Sequence, residues 1–149
     1  MAKFWFTKTL EAAIKGDLDL SGADLRIKLC MANNTCVTDR ATAVYLDDIT
    51  DIDEYDGTGY TEITCAGLAI STDGAVPQVE VKVNSGSWGS AVGAGTRNAV
   101  GYLVYQRIGS DPSANPVLGY STEGGFPLNG SGGPFTLTAD AANGLLTLA

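Results

Sequence analysis

Residues 47–60 read DDITDIDEYDGTGY and carry six carboxylates in ten positions: Asp47, Asp48, Asp51, Asp53, Glu54 and Asp56. Side chains of this type bind hard cations or, in facing pairs, perform acid–base work on glycosidic bonds. A twelve-residue calcium loop started at Asp51 places Asp53 at position three and Glu62 at position twelve. Position six, where such a loop needs glycine, holds Asp56, and position five holds Tyr55. The pattern fails where the loop must turn, and no convincing helices flank it. Asp51, Asp53, Asp56 and Glu62 remain the candidate ligands for a calcium site of another kind. A glycosidase pair is unspecific in so acidic a run, and no aromatic-rich groove accompanies it.

Other chemistries are narrowed by one absence. The chain has no histidine. That removes Ser-His-Asp and Cys-His catalysis and the histidine zinc motifs. GYSTEG has Gly119 and Ser121 of a nucleophile elbow, but Glu123 stands in place of the second glycine. Gly93-Ala94-Gly95 begins a dinucleotide signature, but Asn98 stands where the third glycine belongs. The sequence therefore points to a protein that is not an enzyme and has no cofactor.

The elements that would position these residues are mostly strands. TKTLEAAIKG reads as a helix, with Thr7 or Thr9 as cap, Gly16 as stop, and Leu10, Ala13 and Ile14 on one face. Leu25, Ile27, Leu29 and Met31 alternate with Asp24, Arg26, Lys28 and Cys30, which is a strand with one buried face. TDRATAVYLDDIT reads as a second short helix. Strands are expected in YTEITCAGLAIS, QVEVKVN, NAVGYLVYQRIG, VLGYS, PFTLTAD and GLLTLA, with SDPSANP as a turn. The expectation is a mainly β, antiparallel β-sandwich or jelly-roll-like single domain over residues 1–149. One or two short helices lie in its N-terminal half.

Charge is unevenly spread. Residues 1–82 hold 21 of the 26 charged side chains, while 13 of the 19 glycines follow residue 83. The net charge of −8 disfavours nucleic acid and anionic membrane surfaces. No stretch approaches a membrane span, and MAKFWFTKTLEAAIKG lacks the apolar core of a signal peptide, so synthesis in a cytoplasm is expected. Cys30, Cys36 and Cys65 then read as buried, reduced thiols. A half so poor in charge suggests a covered surface in an assembly. Phe4, Trp5, Phe6 and Trp88 are the candidate interface or core anchors. Residues 1–6 are set apart as an arm whose removal should weaken attachment and leave the domain folded.

The order of segments resembles a family of small tailed-bacteriophage virion proteins, often treated as capsid decoration or cement proteins. GDLDLSGADLRIKLCM, YDGTGYTEITCAGLAI, VGYLVYQRIGSDPSANPVLGY and GGFPLNGSGGPFTLTAD carry the likeness, over roughly residues 8–145. The resemblance implies a β-sandwich or jelly roll on the capsid exterior, bound to the major capsid protein, commonly as a homo-oligomeric trimer. It transfers no residue-level site. It equally fits another virion component, such as a tail, head-fibre-base or adaptor protein. A calcium- or carbohydrate-binding module is the remaining alternative.

Overall fold

The computed structural model describes residues 3–21, 23–65, 68–72, 79–83, 86–137 and 146–148. The chain is mainly β, with antiparallel sheets and one helix near its N-terminus. β1 (Lys3–Trp5), β8 (Val117–Ser121), β7 (Ala99–Gln106), β2 (Leu25–Met31) and β3 (Ile63–Thr64) form a five-stranded sheet in that spatial order. β10 (Leu146–Leu148), β5 (Val79–Val83) and β4 (Leu68–Thr72) form a second sheet, and β6 (Gly86–Val92) pairs with β9 (Gly133–Leu137). The sheets do not close on one another. The side chains of Val79, Val81 and Val83 lie outside the described residues, as does Asp140.

The large sheet is buried on both faces. Leu25, Ile27, Leu29, Tyr102, Val104 and Leu118 point to one side and pack with Trp5, Trp88, Val92 and Leu137. Cys30, Leu103, Tyr105, Val117 and Tyr120 point to the other and pack with Phe4, Phe6, Cys36, Ala43, Leu46 and Ile49. A strand buried on both sides has no polar face to show, which is why AVGYLVYQ reads as a nearly continuous apolar run. The cover on the second face comes from residues 32–52, which contain no strand.

The N-terminal residues belong to this core. β1 pairs with β8 in the register Lys3↔Ser121, Phe4↔Tyr120 and Trp5↔Gly119. Phe6 is fully buried and its amide donates to the Leu118 carbonyl at 3.0 Å. The stretch that reads as an arm is thus an edge strand; Met1 and Ala2 lie outside the described residues. α1 (Thr7–Lys15) follows at once, with Phe6 rather than a threonine as its cap residue. Thr9 instead turns inward, and its hydroxyl donates to the Val117 carbonyl. Gly16 ends the helix at φ 80°, a conformation glycine adopts without a Cβ penalty. Of the expected apolar face, Leu10 packs on the core, but Ile14 is 86% exposed.

TDRATAVYLDDIT is not an α-helix. It forms two 3-10 turns, Asp39–Ala41 and Leu46–Asp48, separated by a bridge between Tyr45 and Pro116. The Asp48 carboxylate accepts the amides of Val44 at 2.8 Å and Tyr45 at 2.9 Å. Local capture of amides by aspartate is the competition that breaks helices.

Phe6→Ala removes a fully buried ring and is expected to destabilise the protein by about 3–5 kcal/mol in urea denaturation. Deleting residues 1–6 removes β1 as well, so the truncated chain should unfold at lower urea than Phe6→Ala, and a midpoint equal to wild type would contradict this packing.

Candidate functional site: the acidic segment and the cleft beside it

The carboxylates singled out in the sequence are placed apart. Asp51 accepts the Asp53 amide at 2.8 Å. Asp53, at φ 46°, accepts the Asn33 amide at 2.7 Å and takes a two-pronged contact from Arg97 at 2.6 and 2.8 Å. Asp56 accepts the Thr96 amide at 2.8 Å and the Thr96 hydroxyl at 2.6 Å. Glu62 lies on another surface, against Tyr105 and Lys28. Among the described residues no three metal-ligating side chains converge. The oxygens of these four carboxylates serve the chain's own amides, hydroxyls and cations.

The same pattern extends to Asp39, whose Oδ2 accepts the Thr35 hydroxyl at 2.6 Å and the Thr50 amide at 2.8 Å. Those two bonds hold its carboxyl below the ordinary range. Thr96 does the same for Asp56.

Tyr55 follows directly and is 3% exposed. Its hydroxyl accepts the amides of Gly95 at 2.8 Å and Gly130 at 2.7 Å. Its proton faces Asn129 Oδ1 at 2.7 Å and the Gly93 carbonyl at 3.0 Å. One side chain therefore ties two distant loops to its own segment. The approach is close: a Cβ on Gly130 would lie 2.2 Å from the Gly93 carbonyl oxygen, and one on Gly57 would lie 2.3 Å from it. Tyr60 stands edge-on to Tyr55 at 5.5 Å and stacks on Trp88 at 6.2 Å. The Trp88 indole N–H donates to the Thr61 carbonyl at 2.8 Å. Trp88, Phe4, Trp5 and Phe6 are all buried within their own chain.

A cleft of about 200 Å³ opens on the second face of the large sheet. Lys28, Glu62 and Tyr105 form part of its lining, with Leu46, Pro112 and Arg107 around them. Lys28 Nζ donates to Glu54 at 2.7 Å and Glu62 at 3.0 Å. Burial pulls the ammonium's pKa down, but the two carboxylates outweigh it and hold the pKa above its usual value. Glu62 shows the inverse: burial raises it, and the Tyr105 hydroxyl at 2.6 Å with Lys28 lowers it further. Burial and the Glu62 carboxylate push Tyr105 well up. At neutral pH the lysine stays charged, the glutamate stays ionised and the phenol keeps its proton. None of the three is poised for proton transfer near neutrality.

Of the cleft residues the sequence singles out Glu62 alone, as a calcium ligand rather than as a partner of Lys28, although the Arg26–Lys28 alternation in β2 is a visible signal for a charged strip. Tyr55 carried no signal, because its partners lie some forty and seventy residues away.

Fold and site define a mainly β, antiparallel domain whose acidic loop is an internal clasp. No protein-family model, no curated protein and no solved structure matches the chain.

Tyr55→Phe keeps the ring and strips the Gly130 amide of its acceptor, while Gly95 retains Asn129 Oδ1 at 2.9 Å. The expected cost is about 1–3 kcal/mol, with faster hydrogen exchange at Gly130; unchanged exchange there would refute the hub. Stability should also have an acid limb. Asp39, Asp56 and Glu62 are depressed in the folded state, so their contribution is complete above the ordinary values of 3.8 and 4.5 and is lost as pH falls through the folded values. Burial raises Cys65 from 9.0 to about 12, so its contribution is complete below pH 9 and is lost as pH rises toward 12. Thermal midpoints measured from pH 2 to 12 should trace that plateau.

Proposed function

We propose that the chain is a non-enzymatic structural protein of a tailed-phage virion, binding the outer surface of the capsid shell as a decoration or cement protein. Its partner is the major capsid protein, and it acts as a homo-oligomer, a trimer in the favoured arrangement. It is made in the host cytoplasm and functions on the capsid exterior. The finer architecture on this reading is a jelly-roll-like sandwich, with the two smaller sheets set against the large one.

One observation carries the proposal beyond the resemblance. Every described charged side chain of the second half is engaged within the chain. Arg97 holds Asp53, Arg107 lies 3.6 Å from Glu62, Glu123 lies 3.6 Å from Lys3, and Asp111 caps Ser113. Residues 124–134 then offer glycine, proline, serine and asparagine with no charge of their own, and the 93–98 loop that approaches them carries one charge, Arg97, which Asp53 holds. Asp56, which borders them, spends both oxygens on Thr96. A surface without charges is covered at small desolvation cost, and interface cores are depleted in charge for that reason. A protein that prefers the assembled shell stabilises it by mass action and needs no catalytic group.

The test is particle composition. Quantitative mass spectrometry of purified virions should find the chain in stoichiometric relation to the major capsid protein, in the order of hundreds of copies for a shell tiled at local three-fold positions. A dozen copies or fewer would overturn the capsid-surface role in favour of a tail or vertex part.

A further inference from the structure

The clasp around Tyr55 closes on an Asn–Gly pair. No other residue fits in place of Gly130, because a Cβ there would lie 2.2 Å from the Gly93 carbonyl oxygen and 2.3 Å from that of Val92. Asn129 supplies the other half. Its Oδ1 accepts the Tyr55 hydroxyl at 2.7 Å and the Gly95 amide at 2.9 Å. The Gly130 amide donates back to the same hydroxyl at 2.7 Å. The backbone is pinned on both sides of the pair. Leu128 and Ala99 exchange amide bonds at 2.8 and 2.9 Å, and the Gly132 amide donates to the Val92 carbonyl at 2.9 Å. Asn129 is nonetheless exposed, so water reaches it. The close approach thus forces on the chain a dipeptide that readily reacts with itself: glycine has no Cβ to obstruct its own nitrogen as that nitrogen turns onto the preceding side chain.

We propose that Asn129–Gly130 is a spontaneous deamidation site that the Tyr55 clasp holds back, and that its conversion opens the clasp. In the reaction the Gly130 nitrogen gives its proton to solvent and bonds to Asn129 Cγ. The side-chain nitrogen takes up a proton and leaves as ammonia. Water then opens the imide ring at either carbonyl, giving aspartate or isoaspartate. The sum is one water taken up and one ammonia released, with no oxidant or reductant. The clasp opposes the first step. The imide nitrogen bears no hydrogen, so ring closure forfeits the Gly130 donation to Tyr55. Two donors on Oδ1 draw electrons from the amide and favour attack, but without a released Gly130 nitrogen there is no nucleophile. Reaction therefore waits on local opening. The isoaspartate product has one more backbone carbon between residues 129 and 130, which moves Gly130 out of its close approach to Gly93. This inference is independent of the virion reading.

The experiment incubates the full wild-type chain in mildly alkaline buffer, once folded and once in guanidinium chloride, and follows deamidation by peptide mapping. Mapping separates Asn129 from Asn143–Gly144, which lies outside the described residues. Conversion at Asn129 should be roughly tenfold or more slower in the folded chain than in the denatured one. Tyr55→Phe should speed it in the folded chain by about 5- to 30-fold, in step with the larger open population. The folded chains that do convert should show faster hydrogen exchange at Gly130 than unconverted ones. Equal rates in the folded and denatured wild-type chain, no conversion at Asn129 in the denatured chain, or an unchanged or slower rate in folded Tyr55→Phe would each overturn the proposal. The wild-type comparison decides it even if Tyr55→Phe does not fold.

Discussion

Residues 32–62 lie between two strands of the large sheet and contain no strand of their own. A segment without a ladder must still find acceptors for its amides wherever it is covered. Backbone carbonyls take many of them, such as that of Asp39 for Ala43 and that of Leu29 for Tyr55, and carboxylates take several of the rest. Asp39 takes the Thr50 amide, Asp48 takes those of Val44 and Tyr45, and Asp53 takes that of Asn33. An ionised acceptor makes a shorter and stronger bond to an amide than a neutral one does. Several aspartates of this stretch thus have an internal use: they accept amides that lack a ladder partner. The cover over Phe4, Phe6, Leu103 and Val117 depends on it, because residues 36, 43, 46 and 49 pack there only while the segment keeps its path.

Covering both faces of one sheet has electrostatic consequences. The large sheet carries Arg26 and Lys28 on the face that the loop layer reaches. A cation moved toward low dielectric costs free energy unless it is paired and hydrogen-bonded. Arg26 is met by Asp24 at 2.8 and 2.9 Å, and Lys28 by Glu54 and Glu62. The cleft is what remains where this paired strip meets the 107–115 loop. Its groups satisfy one another, so it is better understood as an internal brace than as a reaction centre. Tyr105 belongs to both regimes, with its ring in the apolar cluster and its hydroxyl on Glu62.

Much of the β architecture is legible in the sequence. The alternation in β2, the apolar run of β7 and the SDPSANP turn all report local periodicity or turn chemistry, and the structure places strands and a 3-10 turn there. The acid-rich segment is legible as surface rather than as an EF-hand, since Asp56 occupies the position that needs glycine. Three features are not legible. KFWF looks like a free end because an edge strand of three residues leaves no periodicity, and only its pairing with β8 reveals it. TDRATAVYLDDIT looks helical because propensity does not register that Asp48 will capture two amides. Ile14 looks buried because helical spacing defines a face but not which part of it meets the core.

Most of the described charges of the second half are spent on the first. Asp53 and Glu62, from the first half, meet Arg97 and Arg107, and Lys3 meets Glu123. These contacts cross the chain and pair Arg97, Arg107 and Glu123, while Asp111 accepts from Ser113 instead. Most of the net −8 resides in the first half, on exposed aspartates such as Asp47 and Asp51. The Tyr55 hydroxyl adds a second tie between the halves: it holds residues 93–95 and 129–130 in one fixed group against the end of the acidic segment.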